Sequence, residues 1–418
     1  MYMVKHYLAN FALWLSLTVF YCYQYILRII PSMMLPELTT HYNISATEFG
    51  TFAGMYYAGY VAIHIPVGIA LARFGGKIII PICVIVASIG LIPLARYDSW
   101  SYVLFGRLLV GVGSSAAIIG GLQIFKIVFP QRFTQTLGMM VCAGLMTVVY
   151  INNFIAKIIY DVGIQTTING LIVSGFGIAI FLLLLIPNVH NNQSDQNIIR
   201  DIKTVICNYK LIIVSLLAGM MVGPLEGFAD AWGVAFLTSV YDVSRADAAS
   251  SISLILTGMC LGCVLLPYLA DKFRLHYVIT FCSAIVMCGC FLYLLSCNAD
   301  IKTINLLCFL IGISCAYQVV IIAKISTYTD EKLSGIAAAV GNMIIMAFGS
   351  IFHKIISTNI QNHSSIIIGN VQTYSKEAYI KGIAIIPIFI AIAIAFFILF
   401  FLKQYYQNHQ MKKNLIQS

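Results

Sequence analysis

The chain has 418 residues, of which 60% are hydrophobic and only 9% are charged, and its mean hydropathy is +0.92. Soluble domains carry about 25% charged residues, so this composition cannot cover a water-facing surface and excludes an ordinary soluble enzyme. The formal net charge of +9 does not indicate nucleic-acid binding, because the basic residues lie in short pieces between apolar runs, as they do in membrane proteins.

Six apolar runs, each long enough to cross a bilayer as a helix, occupy the first half of the chain. We predict spans 1 to 6 at residues 9–36, 49–71, 77–96, 99–127, 135–160 and 165–187. The runs are continuously apolar and do not alternate with polar positions, which argues against a β-barrel. The first half is therefore expected to be a bundle of six transmembrane helices.

A polar segment, residues 188–209, separates this half from a second set of apolar runs. It reads as a cytoplasmic linker that ends in a short amphipathic piece on the membrane surface. Spans 7 to 12 are predicted at residues 210–238, 247–270, 276–297, 302–325, 333–358 and 382–403. The predicted fold is an all-α integral membrane protein of twelve helices, with pseudo-symmetric halves at 1–187 and 210–418 around a central cavity.

The basic residues predict the orientation of the chain. If both termini are cytoplasmic, 15 of the 24 lysines and arginines lie at cytoplasmic ends: Lys5, Arg73, Lys77, Lys126, Arg132, Arg200, Lys203, Lys210, Lys272, Arg274, Lys324, Lys332, Lys403, Lys412 and Lys413. An excess on that side is the usual pattern. Short loops and abundant Ile, Asn and Lys favour a bacterial inner membrane.

An internal repeat relates the two halves at an offset of about 199 residues. The segment 66–77 (PVGIALARFGGK) matches 267–276 (PYLADKFRLH), and 42–45 (YNIS) matches 241–244 (YDVS). Further along, 110–116 (VGVGSSA) is similar to 311–317 (IGISCAY). Duplicated six-span halves are typical of secondary transporters that bind substrate near the membrane midplane between the halves.

These features together resemble the major facilitator superfamily over almost the whole chain. Residues 68–77 (GIALARFGGK) resemble its signature turn after span 2, except that Ala72 stands where the family usually has Asp. The second copy of the turn carries the acid, as Asp271, and Arg107 with Gly111 and Gly113 resembles the span-4 motif. Spans 1 and 2 are more loosely similar to branches that import small organic anions, amino acids or related metabolites.

The resemblance implies a transporter and not an enzyme, and it suggests roles for several charged residues. Arg107 is linked to proton coupling in the family, although it could instead donate hydrogen bonds to backbone carbonyls. Arg73, Asp271 and Lys272 correspond to the charged turns that gate the cytoplasmic side. Ala72 removes the usual acid from the first of these turns, so Asp271 is expected to help hold the cytoplasmic side closed.

Arg28 is the candidate that the residues themselves single out. It lies about nine residues before the predicted end of span 1, which puts it about 13 Å below the membrane surface. A charge at that depth is costly, and a guanidinium is suited to binding a carboxylate through paired hydrogen bonds. The alternative is a long side chain that reaches the periplasmic interface.

Glu226 and Asp230 lie four residues apart on span 7 and so share one face of the predicted helix. The repeat offset places them at the depth of Arg28. The acids could hold the amine of a zwitterionic substrate, or could carry a proton, because burial disfavours a charged carboxylate. The alternative is that they only neutralise Arg28.

Several aromatic and amide side chains complete the predicted substrate site, although packing explains each of them separately. Span 2 supplies a stripe of Tyr57, Tyr60 and His64, span 5 supplies Asn152, and span 10 supplies Tyr317 and Gln318. His353 and Lys354 on span 11 are expected to reach the exterior interface, and neither is placed in the site.

The leading hypothesis is a monomeric, proton-coupled importer of a small polar metabolite with a carboxylate, such as an amino acid, a short peptide or an organic acid. The alternatives are proton-driven efflux of hydrophobic or cationic compounds and a membrane sensor that does not transport. The sequence lacks a phosphate-binding GxxxxGK[ST] loop and metal-ligand spacings, so we expect no cofactor and no ATP-driven step. Membrane lipid is the remaining expected partner.

Overall fold

The computed structural model describes residues 2–96, 99–129, 133–186, 198–330, 333–363, 365–368 and 371–399, and it is almost wholly helical. The helices of the first half, in chain order, are Tyr2–Tyr42, Ala46–Phe74, Gly76–Ile89 with Ile92–Arg96, Trp100–Ser114 with Ala116–Val128, Phe133–Val162 and Ile164–Leu185. They correspond to the predicted spans 1 to 6. The amphipathic piece predicted at the end of the linker is the helix Ile198–Ile206.

The helices of the second half begin with Tyr209–Met220, the π-helix Gly223–Trp232 and Gly233–Tyr241, which together form span 7. Spans 8 to 12 are Arg245–Phe273, His276–Leu295, Ile301–Cys315 with Tyr317–Ser326, Ser334–Gln361 and Lys376–Leu399. A short antiparallel hairpin joins the last two: β1 (Ser365–Ile368) pairs with β2 (Val371–Tyr374). The sequence did not predict this hairpin.

Eleven helical stretches among the described residues are long and apolar enough to cross a membrane. The predicted span 5 lies on the helix Phe133–Val162, whose apolar part is Thr136–Thr147. Its second half carries Asn152, Asn153 and Lys157, which lower the hydropathy although the helix itself is continuous. The predicted all-α membrane architecture is therefore confirmed, with the hairpin as an addition.

Span 1 is longer than predicted. The helix does not stop at Pro36 but continues to Tyr42, with both Pro31 and Pro36 inside it. Arg28 thus lies 14 residues before the end of the helix, about 21 Å along its axis at 1.5 Å per residue. It is deeper than the predicted boundary implied.

The repeat seen in the sequence reappears in the backbone. Asn43 and Asp242, one repeat apart, both adopt left-handed conformations with φ of 50° and 55°. Gly75 and Arg274, also one repeat apart, have φ of 80° and 55° in the turns after spans 2 and 8. The halves therefore use the same chain reversals, and the second copy tolerates a non-glycine residue where the first has glycine.

The same symmetry governs the closest helix contacts within each half. A Cβ on Gly111 of span 4 would lie 1.9 Å from the Tyr56 carbonyl oxygen of span 2, and one on Gly312 of span 10 would lie 2.0 Å from that of Ile255 of span 8. Only glycine lets these backbones approach so closely. Each half is thus packed around an equivalent close helix crossing.

We predict that Gly111→Ala destabilises the folded protein by about 1–3 kcal/mol, because the methyl group forces spans 2 and 4 apart. Thermal unfolding of the purified protein in detergent measures the effect. Gly289→Ala is the matched control, because a Cβ at Gly289 meets no atom within 4 Å. Equal melting temperatures for the two variants would show that the crossing tolerates a side chain.

Candidate functional site

Arg28 does not reach the membrane interface; it is 7% exposed and ion-paired to the other half of the molecule. Its Nε donates to Asp230 Oδ2 at 2.6 Å, and its Nη2 donates to Glu226 Oε2. Glu226 is fully buried and Asp230 is 4% exposed. The three charged groups that the sequence placed at similar depth are thus in direct contact, and they join span 1 to span 7.

The π-helix in span 7 presents both acids to Arg28. Pro224 lies in its first turn, and at its end the Gly233 amide donates to the Phe228 carbonyl, five residues back. Such i→i+5 turns are rare and widen the helix, and they occur frequently at functional sites. The sequence predicted an ordinary α-helix here, because no residue pattern distinguishes the two over so short a stretch.

Tyr57 completes the contacts of the acid pair. Its hydroxyl lies within hydrogen-bonding distance of both Glu226 Oε2 and Asp230 Oδ2. The Arg28 guanidinium lies 5.5 Å from the Tyr57 ring centroid and 5.3 Å from that of Tyr25. Aromatic faces attract a cation and exclude water, so the two rings strengthen the electrostatic interaction of Arg28 with the two acids. We call Arg28, Tyr57, Glu226 and Asp230 the charge cluster.

Span 11 supports Tyr57 from the opposite side. A Cβ on Gly349 would lie 2.6 Å from Tyr57 Cδ1, so the ring packs directly on this glycine. The His353 ring, one turn further on, lies 5.5 Å from the Tyr57 ring and is 1% exposed. The expectation that His353 reaches the exterior was wrong; Lys354 is exposed, while His353 faces the bundle interior.

Arg107 donates hydrogen bonds to backbone carbonyls, which was the alternative to a role in proton coupling. It is 4% exposed, and its Nη1 and Nη2 donate to the Leu27 and Arg28 carbonyls at 2.5 and 2.8 Å. Pro31 has no amide hydrogen, so the Leu27 carbonyl, four residues earlier, loses its partner in the helix. Arg107 supplies the missing donor and holds the backbone of Arg28 in place. Its coupling role stays a prediction.

The predicted stripe on span 2 divides. The rings of Tyr60 and His64 are tilted by 34° with their centroids 5.0 Å apart, and Tyr60 stacks on Tyr56 at 6.3 Å. The Tyr56 hydroxyl donates to Gln24 Oε1. Of the three residues of the stripe, only Tyr57 belongs to the charge cluster. His64 is 2% exposed, and its Nδ1 has no hydrogen-bond partner in the protein.

The other predicted substrate residues lie apart from Arg28 or outside the described side chains. Tyr317 is fully buried and donates to the Ala218 carbonyl at 2.6 Å, where span 7 changes from α- to π-helix. Gln318 is 6% exposed, and its Nε2 has no partner in the protein. The Asn152 side chain is outside the described ones. A substrate role for these three stays a prediction.

The predicted gating residues lie at the exposed ends of the helices of spans 2 and 8. Asp271 pairs with His276 at 3.0 Å, and Lys272 donates to the Tyr268 hydroxyl at 3.3 Å, so these contacts stay inside the second half. Arg73 is exposed, with its guanidinium 5.6 Å from the Phe74 ring. The side chain of Ala72 is outside the described ones. Gating by this group stays a prediction.

Contacts between the halves occur at the opposite end of the bundle, where span 1 turns into span 2. We call this the distal end. The first two amides of span 2, Ala46 and Thr47, donate to the Tyr374 hydroxyl at 2.8 Å and to Gln361 Oε1 at 3.1 Å. Helix N-termini leave such amides unpaired, so here the second half caps a helix of the first.

An ion pair and a tight helix contact add to this closure. Arg245 pairs with Glu37 across the halves at 3.1 Å. Below it, a Cβ on Gly50 of span 2 would lie 2.2 Å from the Ser357 side chain of span 11. The charge cluster is therefore enclosed from the distal end in this conformation. A groove of about 340 Å³ lies elsewhere, between spans 1 and 6.

At the site, sequence reasoning missed Gly349 and misplaced His353, and at the distal end it missed the cap residues Tyr374 and Gln361. The signal for Gly349 and His353 is their i, i+4 spacing on span 11, which puts them on one face. Nothing in the sequence links Tyr374 or Gln361 to span 2, because the contacts join residues more than 300 positions apart.

The model of the Major Facilitator Superfamily matches residues 13–353. The chain is similar to a bacterial homolog of the human lysosomal transporter Spinster, inward-facing and unoccupied, with a TM-score of 0.70 and 16% identity over 94% of this chain and 96% of that one. It is similar to a variant of the nucleoside transporter NupG, with a TM-score of 0.72 and 13% identity over 94% and 99%. No curated protein sequence matches the chain.

We predict that Arg107→Ala lowers stability by about 1–3 kcal/mol, because it leaves the buried Leu27 carbonyl without a donor. Pro31→Ala restores an amide that can bond to this carbonyl, so the cost of Arg107→Ala should be smaller in the Pro31→Ala background. Thermal unfolding of the four proteins in the double-mutant cycle gives the coupling. Equal costs in both backgrounds would contradict the pairing.

For the distal end, Tyr374→Phe should speed hydrogen exchange in the first turn of span 2 roughly fivefold, since one capping interaction contributes about 1 kcal/mol. Mass-spectrometric exchange on a peptide covering residues 44–52 measures it. Tyr209→Phe, at a tyrosine that is 67% exposed, should leave this peptide unchanged. If both variants exchange like the parent protein, the Tyr374 contact does not cap the helix.

Proposed function

Because this chain belongs to the major facilitator superfamily, we propose that it moves a small, carboxylate-bearing metabolite across the membrane by alternating access, with a proton as the coupling ion. The family makes it a multi-pass membrane transport protein and not an enzyme. The observation that carries the proposal is the buried Arg28 guanidinium, held between two carboxylates and two tyrosine rings. An amino acid, a short peptide and an organic acid all carry the group that this site would bind.

Carboxylate exchange on Arg28 is the proposed binding step. A guanidinium offers a planar fork of donors that fits one carboxylate through two hydrogen bonds. In this structure Asp230 and Glu226 accept those hydrogen bonds. A substrate carboxylate would take their place, so the buried arginine is never left without a partner. This avoids the cost of several kcal/mol that an unpaired buried charge carries.

Proton coupling follows from the acids that the substrate displaces. An acid that loses Arg28 inside the bundle must find another cation or become neutral. A proton from either side of the membrane makes it neutral, and the amine of a zwitterionic substrate could pair with it instead. Substrate binding at Arg28 and proton binding at Glu226 or Asp230 would then favour each other, which is the condition for cotransport.

During alternating access the two halves would separate at the distal end. The charge cluster joins the halves near the middle of the bundle, and the caps on Ala46 and Thr47 join them at the distal end. Rocking of the rigid halves about the cluster would break the caps and expose Arg28 from that end. We propose a bacterial inner membrane with both termini in the cytoplasm, which places the distal end on the periplasmic side. We further propose that the direction of transport is import.

The decisive experiment measures the melting temperature of the purified protein against amino acids, short peptides, organic acids, nucleosides and sugars. A ligand that binds only the folded state raises it by mass action. We expect carboxylate-bearing ligands to stabilise the parent protein by several degrees and Arg28→Ala not at all. Arg96→Ala, which removes an exposed arginine, should keep the full response.

Two results would oppose the proposal. Stabilisation by the same carboxylate ligands in Arg28→Ala would remove Arg28 from the site. Stabilisation by lipophilic cations alone, lost in Glu226→Gln, would favour the efflux of cationic compounds. Arg28 argues against that alternative, because a buried guanidinium beside the acids repels a second cation.

A further inference from the structure

The Tyr57 hydroxyl contacts two carboxylate oxygens of the charge cluster but has only one hydrogen to donate. Glu226 Oε2 and Asp230 Oδ2 each accept a hydrogen bond from Arg28, and each also contacts the hydroxyl of Tyr57. A phenol has one hydrogen and can donate it to only one of the two. If both acids were ionised, a lone pair of the Tyr57 oxygen would face a carboxylate oxygen. The second contact becomes a hydrogen bond only when one acid carries a proton.

A separate observation identifies that acid. Glu226 Oε1 is completely buried and has no hydrogen-bond partner in the protein. An unpartnered oxygen of an ionised carboxylate is far more costly in such a place than the carbonyl oxygen of a neutral acid. Asp230 forms the 2.6 Å ion pair with Arg28 Nε. The proton therefore belongs on Glu226, and the negative charge belongs on Asp230.

Other titratable or charged groups surround the pair on spans 1, 2, 4, 10 and 11: Tyr25, Tyr60, Arg107, Cys315, Tyr317 and His353. Arg107 is the second cation nearby, but two of its donors point to the Leu27 and Arg28 carbonyls. These hydrogen bonds do not supply a hydrogen to Tyr57 or to the two acids. Arg28 is thus the cation that contacts the pair, and a pair with one proton and one negative charge balances it.

We propose that Glu226 and Asp230 share a single proton in the empty protein and that Tyr57 is the residue through which they share it. Glu226 donates its proton to Tyr57 Oη, and Tyr57 donates to Asp230 Oδ2. Passing the Glu226 proton to the tyrosine oxygen, while the tyrosine proton moves to Asp230, exchanges the two acids and leaves Tyr57 neutral. The pair keeps one proton and one negative charge throughout.

This inference rests on the proposed function for its role and deepens it. A substrate carboxylate on Arg28 displaces the ionised Asp230, and one further proton then makes both acids neutral. The cluster carries the same net charge before and after binding, with one proton taken up for each carboxylate bound. Tyr57 is a positioning residue in this scheme, because it aligns the acids and does not itself change charge.

The test is infrared spectroscopy of the empty protein in lipid vesicles as the pH is raised. We expect a protonated carboxylic acid band at neutral pH that disappears at alkaline pH and is lost in Glu226→Gln. Tyr57→Phe should keep the band at a higher frequency, because the acid loses its hydrogen-bond acceptor. Asp161→Asn, at an exposed acid at the end of span 5, should leave the band unchanged.

If Glu226→Gln does not fold, Glu226→Asp keeps a protonatable group, and the band should persist at a shifted frequency. A parent protein without a titrating acid band at neutral pH would overturn the proposal, and so would a band that survives Glu226→Gln. A frequency that is unchanged in Tyr57→Phe would exclude the sharing through tyrosine. No substrate is present, so this result is independent of whether Arg28→Ala loses its ligand response.

Discussion

The ion pairing of Arg28 with Glu226 and Asp230 is the constraint on which the rest of the structure depends. A guanidinium in the middle of a membrane bundle is tolerated only with acceptors in contact, and the acceptors come from the other half of the chain. Breaking one side of such a buried pair costs about 3–5 kcal/mol, so the pairing holds spans 1 and 7 together. The lining of tyrosine rings and the widened π-turn are the local features that make the contact possible.

Around this pairing, each unusual feature compensates for another. Pro31 removes an amide from span 1, and Arg107 replaces it with a side-chain donor. Tyr57 must reach the acids from span 2, and Gly349 on span 11 leaves room for its ring. The residues that contact one another here come from spans 1, 2, 4, 7 and 11.

The distal closure differs in kind from the cluster. It consists of helix caps, one exposed ion pair and a contact between small residues, each of which contributes little by itself. Water can satisfy the Ala46 and Thr47 amides when the halves separate, so opening this end exchanges hydrogen bonds without leaving any unmade. In the buried charge cluster the acids are paired with Arg28 and not with water, so separating them requires another partner for each charge. The distal contacts therefore cost less to break than the ion pairing in the charge cluster.

The sequence by itself determined the spans, the duplication and the shared depth of Arg28, Glu226 and Asp230. Hydropathy indicates which segments lie in the membrane. The repeat offset indicates which positions of the two halves lie at the same depth. Only the tertiary structure decided that the helix of span 1 continues past Pro36 to Tyr42, that His353 faces inward, that Arg107 bonds to a backbone, and that Tyr374 caps a distant helix. These outcomes depend on which helix faces are in contact and on individual hydrogen-bond partners. Such contacts join residues far apart in the chain, and periodicity along one helix carries no information about them.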